Sequence, residues 1–204
     1  LLTNEEIERY CLRTGKKYSD IKFHKKNQYK ISYLQVQNHN NTETIEIIKK
    51  NELDFLVNLG TPRILKEKII KSSKLGILNC HPGLLPEFKG CCCVEWSIFN
   101  DEPVGNTLHW MDTSIDSGPI ISKHKTNCFY SDNYQKIRNR VYNDGSKYLV
   151  ELISLMNQSS LYSIRKKLSG KIHNGGNYYK PMDNKILDKV IEKIENHKYK
   201  YQNN

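Results

Sequence analysis

Asn79 and His81 stand two residues apart where the apolar run Leu75–Leu78 ends, and Asp116 stands in the polar segment between Met111 and Pro119. These three residue types can do proton chemistry together. Histidine titrates near neutrality and carries a proton in either direction. Asparagine donates a hydrogen bond to a developing oxyanion without changing charge. A carboxylate orients an imidazole or takes a proton from an amine. The set suits acyl transfer through a tetrahedral intermediate. Taken alone, the same residues also suit ordinary hydrogen bonding at the end of a strand.

The elements that must position them follow from the hydrophobic pattern. Successive side chains of a strand alternate faces, so Asn79 and His81 point the same way if Leu75–His81 is extended. Two prolines and two glycines then force an irregular loop over 82–90. Upstream, 3–14 reads as a helix with Thr3 as cap, Ile31–Gln37 as a strand, and the stretch after it as a helix capped by Asn41 or Thr42 that carries Ile45 and Ile48 on one side. Asp54–Leu59 reads as a short buried strand. Thr61 and Pro62 are placed to start a helix running through Ile69. Downstream, the expected order is a helix over 92–100, a strand over 105–111, a loop over 112–118 and a strand over 119–124. A long helix capped by Ser131 then runs to about 157. After a loop over 174–182 comes a last helix capped by Asp183, with a frayed tail beyond His197. Strands alternating with helices through 31–90 indicate an α/β fold with parallel strands and crossovers. The two later strands form an antiparallel extension.

The spelling goes further than the periodicity. Asn79-Cys80-His81-Pro82, Leu84-Leu85-Pro86 with Gly90, Gly105-Asn106-Thr107-Leu108-His109, and Ile115-Asp116-Ser117-Gly118-Pro119-Ile120-Ile121 occur in that order. Together they resemble the formyltetrahydrofolate-dependent formyltransferases. The resemblance runs from about Asp54 to Ile121, and more weakly to Tyr148. It implies a Rossmann-like formyltransferase domain with a mostly parallel sheet flanked by helices, over 1–157, and a C-terminal extension, 158–204, packed on it. It assigns catalysis to Asn79, His81 and Asp116, and 10-formyltetrahydrofolate as co-substrate, with no metal. It places the folate against Arg63, Ile64 and Leu65 under a loop carrying Asp112, Ile115 and Asp116. The side chain of Arg63 also reads as a surface ion-pair residue. The family opens with a strand such as LysIleValPhe, which 1–30 do not spell. Leu1 is not a start methionine, so the N-terminal part is expected to be trimmed or replaced.

The acceptor side is implied by the same resemblance. The turn carrying Pro86, Phe88 and Gly90 is expected to shape the substrate entrance. Trp96 reads as core or as a stacking surface, and Tyr178 and Tyr179 as rings that could stack on a base. The segment Cys93–Trp96 and the stretch Gly176–Pro181 resemble the small nucleotide-sugar formyltransferases. The methionyl-tRNA enzymes carry a further C-terminal barrel, for which 157–204 is too short. The expected acceptor is therefore a nucleotide-linked amino sugar, a dTDP-amino-dideoxyhexose such as dTDP-4-amino-4,6-dideoxyglucose. Glycinamide ribonucleotide is the alternative of the same chemistry, and a non-catalytic basic nucleotide-binding domain the alternative of another class. The chain has 204 residues and a net charge of +10, which suits a lysine-rich surface or attraction for phosphate-bearing ligands. Nucleic acid is not the expected partner, because no aromatic-interleaved basic stripe is present. A homodimer is left open. No run reaches the roughly 18 apolar residues of a membrane span, and no signal peptide is read. Six cysteines, three of them consecutive, lack a disulfide pattern, which points to a reducing, cytoplasmic setting.

Overall fold

The computed structural model describes residues 8, 11–12, 15, 17, 34, 36, 38–61, 64–157, 160, 163–164 and 168–203. The expected helix over 3–14 lies mostly outside these. Glu8, Cys11 and Leu12 are helical, and the Gly15 N–H closes on the Cys11 carbonyl at 2.9 Å. Leu34 and Val36, the described residues of the expected strand Ile31–Gln37, belong to no strand.

The elements that carry the site begin at α1 (Thr42–Lys50), where the Asn41 side chain accepts from the Thr44 N–H and Ile45 and Ile48 turn inward. Strand β1 (Leu56–Asn58) follows. The helix expected from Thr61 is shorter and later, α2 (Glu67–Ile70). Side chains divert the intervening backbone. Asn58 Oδ1 accepts from the N–H groups of Gly60 and Thr61. Asn40 bridges the Ile64 carbonyl and the Lys66 N–H. Backbone groups taken by asparagine are lost to a helical ladder.

Strand β2 (Ile77–His81) lies between β1 and β4 (Gly105–Trp110), and β5 (Ile120–Lys125) completes a four-stranded sheet in the order β1-β2-β4-β5. The β1–β2 pair is parallel, and β2–β4 and β4–β5 are antiparallel. The mixed α/β architecture, a central sheet flanked by helices, is the one the sequence implies. On one face Ile77 packs with Ile45, Ile48, Ile69 and Ile70 of α1 and α2. On the other, Leu78 and Leu108 pack against Leu149, Leu152 and Met156 of α4 (Tyr134–Asn157). The alternation within β2 thus puts Asn79 and His81 on the α1–α2 side. Gly145 of α4 is held against the sheet, where an added Cβ would lie 2.5 Å from Asn106 Oδ1 and 2.8 Å from Cys80 Sγ. The cap of α4 is Asn133, whose Oδ1 accepts from the Lys136 N–H, rather than Ser131 two residues earlier.

A second core joins α3 (Cys93–Phe99), α4 and α5 (Asn184–Glu195) around Ile98, Ile137, Val141, Val190 and Ile194. Burial of each such aliphatic side chain contributes about 1.5–3 kcal/mol. Asp183 caps α5 as its position predicts, accepting from the Lys185 N–H. The tail beyond His197 is packed, not frayed. Tyr199 is buried and donates to the Glu102 carbonyl. The His197 ring stacks on Tyr130, and β8 (Gln202–Asn203) pairs with β6 (Cys128–Phe129). The two expected loops over 82–90 and 174–182 also differ. Each contains a short strand, β3 (Phe88–Gly90) and β7 (Asn177–Tyr179), and the two pair in parallel. No described helix is long and apolar enough to cross a membrane.

Candidate active site

Two strands and one loop converge on the acid–base set. His81 ends β2, and its ring is buried with Nε2 2.8 Å from the Phe88 carbonyl. A carbonyl only accepts, so Nε2 carries the proton and Nδ1 is left facing Asp116 Oδ2 at 3.5 Å. Asp116 has left-handed backbone, φ +48, a conformation that short polar side chains tolerate better than others. That turn aims its carboxylate back at β2 and β3, where Oδ2 accepts the Gly90 N–H at 2.8 Å. Gly90 is required there, since its φ is +95 and a Cβ would lie 2.3 Å from the Tyr179 carbonyl oxygen.

The sheet register adds two side chains that the sequence reading passed over. Asn58 of β1, Asn79 of β2 and His109 of β4 are register partners, so they lie side by side across three strands. Asn58 Nδ2 donates to Asn79 Oδ1 at 3.0 Å, and Asn79 Nδ2 donates to His109 Nε2 at 2.9 Å. His109 Nδ1 in turn donates to the Trp110 carbonyl at 3.0 Å. Burial, then the neighbouring His81, push the His109 imidazole down to about 4, against the opposing pull of Asp116 and Asp112. His109 is therefore neutral at pH 7, with the proton on Nδ1. Its Nε2 also lies 3.8 Å from Asp116 Oδ1. The signal for both residues was present in the chain. Asn58 ends an apolar run as Asn79 does, and His109 interrupts one.

Beside this set opens a cavity of about 320 Å³. Ile64, Leu65, Asp112, Ile115 and Asp116 line it, which brings together the residues expected around the folate. Arg63 lies outside the described residues. Gly90 and Tyr178, both expected on the acceptor side, line the cavity as well. The Tyr178 side chain is exposed at its rim.

The other acceptor residues sit elsewhere. Phe88 is buried and stacks on Tyr179 at 5.3 Å, and Tyr179 stacks on Trp96 at 5.1 Å. Trp96 Nε1 donates to the Lys180 carbonyl. These three stacked rings fasten β3 and β7 to α3. Pro86 does not line the cavity, and its carbonyl lies so close to Gly176 that a Cβ there would sit 1.6 Å away. Of the three consecutive cysteines, Cys93 is buried, with its thiol pushed up by burial, while Cys91 is exposed on the cavity wall.

Residues 8–153 match the formyl transferase family. Among curated proteins, the methionyl-tRNA formyltransferase of Clostridium tetani is 30% identical over 139 residues, 67% of this chain and 45% of that protein. The chain spans less than half the length of the first curated relatives it matches. Among solved structures, the formyltransferase PseJ of Anoxybacillus kamchatkensis, in complex with UDP-4,6-dideoxy-4-formamido-L-AltNAc and tetrahydrofolate, superposes with a TM-score of 0.58 at 25% identity, over 71% of this chain and 79% of that one. A 4-N formyltransferase from Francisella tularensis superposes with a TM-score of 0.54 at 25% identity, over 69% of this chain and 54% of that one.

Proposed function

This chain belongs to the formyl transferase family, and we propose that it carries a formyl group from 10-formyltetrahydrofolate to the amine of a nucleotide-linked amino sugar. The observation that carries the proposal is the convergence of Asn79, His81 and Asp116 beside a cavity lined by Ile64, Leu65 and Asp112–Asp116. A cavity of about 320 Å³ with Ile64, Leu65, Met111 and Ile115 as apolar walls, and Asp112 and Thr113 as polar ones, fits a flat heteroaromatic ring with a polar edge. When bound, the co-substrate supplies an activated formyl carbon.

The residues act around that carbon. One hydrogen of Asn79 Nδ2 is engaged by His109, which leaves the second to stabilise the oxyanion as the amine attacks. Asp116 accepts the proton that the amine loses. His81, protonated at Nδ1, shares the stabilisation and returns a proton to the departing nitrogen. The proton budget closes within the pair, because one proton enters at Asp116, one leaves from His81, and the groups face each other across 3.5 Å.

The nucleotide-sugar acceptor is supported by the UDP-linked formamido sugar in the Anoxybacillus structure. Its entrance is assigned to the Gly90–Tyr178 rim, with the exposed Tyr178 ring as the surface for a base or sugar. The test is a panel of dTDP- and UDP-linked amino sugars, glycinamide ribonucleotide and methionyl-tRNA, each incubated with 10-formyltetrahydrofolate and read by mass spectrometry. A formyl gain on an amino sugar is expected, and gain on one of the other two alone would reject the sugar reading. His81→Ala and Asp116→Ala are each expected to slow transfer by about 10²-fold or more. Near-normal turnover in either would reject the assigned roles.

A further inference from the structure

The rung Asn58–Asn79–His109 is a hydrogen-bond relay whose direction is fixed at both ends by backbone groups. At one end the N–H groups of Gly60 and Thr61 donate to Asn58 Oδ1 at 3.2 and 3.0 Å. An N–H cannot accept, so this atom of Asn58 must be the oxygen and the other the nitrogen. At the far end the Trp110 carbonyl sits 3.0 Å from His109 Nδ1. A carbonyl cannot donate, so the proton of a neutral His109 is on Nδ1 and its Nε2 accepts. Between these ends only one polarity closes. Asn58 Nδ2 donates to Asn79 Oδ1, and Asn79 Nδ2 donates to His109 Nε2.

We infer that Asn58 is a positioning residue that holds the Asn79 amide with its nitrogen, rather than its oxygen, toward the reacting centre. Its catalytic consequence rests on the formyl-transfer reading, while the polarity itself rests on the hydrogen bonds alone. A reversed Asn79 would set its oxygen against the lone pair of His109 Nε2 and would offer a developing oxyanion an acceptor in place of a donor. Asn58 also ties this orientation to the backbone of Gly60 and Thr61, and Thr61 lines the cavity. The cavity wall at Thr61 and the amide that meets the formyl oxygen are thereby held by one side chain.

A purely local role is the competing account, in which Asn58 serves only to cap the turn at Gly60 and Thr61. Asn58→Asp separates the two, since its carboxylate still accepts from both N–H groups but has no hydrogen to give Asn79. The expected result is a kcat lower by at least about tenfold, with the KM for 10-formyltetrahydrofolate within about twofold of the parent. Asn58→Leu, a neutral side chain of similar size, loses both cap and donor, so kcat falls and KM rises together. It also controls for the added charge, and it carries the test if thermal melting shows that the Asp variant does not fold.

An imidazole ¹⁵N spectrum of the unsubstituted protein at pH 7 reads the relay without turnover. His109 is expected as a single tautomer protonated on Nδ1, held there by the Trp110 carbonyl, and its Nε2 resonance is expected to move in Asn58→Leu as the hydrogen bond from Asn79 loosens. A His109 protonated on Nε2 in the parent protein, an unchanged His109 spectrum in Asn58→Leu, or a parental kcat in either variant would overturn the inference. Should the parent transfer no formyl group to any acceptor, the functional reading fails on its own, and the tautomer spectra still decide the orientation of Asn79.

Discussion

Replacing His109 with Gln tests the neutral state on which the relay depends. Gln is neutral at every pH, and its Oε1 can accept from Asn79 Nδ2 in place of the imidazole. In the folded protein His109 titrates at about 4, below its ordinary 6.5. Burial is the largest cause and His81 the second. Asp116 and Asp112 are the facing groups that oppose the shift. In the unfolded chain the same side chain takes up a proton as pH falls through 6.5. Between 6.5 and about 4 the unfolded state therefore binds more protons, and stability falls as the solution is acidified. The component is fully present above pH 6.5 and lost on the way down to about 4. The gap corresponds to roughly 3 kcal/mol in all, and to about 2 kcal/mol between pH 7.5 and pH 5. Against a typical total of about 5–15 kcal/mol, that is a large share.

The assay is urea unfolding of both proteins at closely spaced pH values over that range, read as the difference in unfolding free energy. Carboxylates lowered by their ion pairs, such as Asp132 beside Arg140, also lose stability on acidification, but they are common to both proteins and cancel. The parent is expected to lose about 2 kcal/mol more than His109→Gln between pH 7.5 and pH 5. A difference that stays flat within about 0.5 kcal/mol would show that His109 titrates alike in both states, which would remove the basis for a neutral His109.

Two predictions concern packing. Gly145→Ala should destabilise by about 1–3 kcal/mol in urea unfolding although alanine favours helices by about 1 kcal/mol, because its Cβ would sit 2.5 Å from Asn106 Oδ1; an equal or higher stability would mean that α4 can back away from the sheet. Glu95 is buried and accepts from the Tyr134 hydroxyl at 2.7 Å and from Arg138 Nε at 3.1 Å. Glu95→Ala should cost about 3–5 kcal/mol by leaving the Arg138 charge without that partner, and a thermal melt unchanged from the parent would contradict the pairing.

What the sequence discloses depends on how far apart the cooperating residues are. Asn79 and His81 were legible because two residues of one strand share a face by local geometry alone. Asp183 was legible as a cap because a cap is read within a few residues. The helix from Thr61 was misplaced because Asn40, more than twenty positions away, takes the backbone of Ile64 and Lys66. That Phe88, Trp96 and Tyr179 stack on one another was not legible, because their stacking depends on the pairing of β3 with β7. Tyr199 could be placed in the core only once β8 was known to pair with β6.

The same reasoning explains why the relay was the least legible part of the site. Its links span 21 and 30 positions, and they exist only because β1 and β2 run parallel while β4 runs back. Parallel strands bring like ends together, so Asn58 and Asn79, each near the carboxyl end of its strand, come level by a rule that sequence can apply. An antiparallel neighbour brings opposite ends together, and the residue level with His81 is Thr107, whose hydroxyl is spent on the Gly83 carbonyl. His109 reaches Asn79 because it lies two positions further along, on the same face as Thr107. One residue of slip in β4 would turn that imidazole to the opposite face, toward the apolar side chains of α4, and would remove the acceptor that orients Asn79. The register of one strand pair thus decides whether the site has an oriented amide, and the register is set by the apolar alternation of Leu78 and Leu108 against α4.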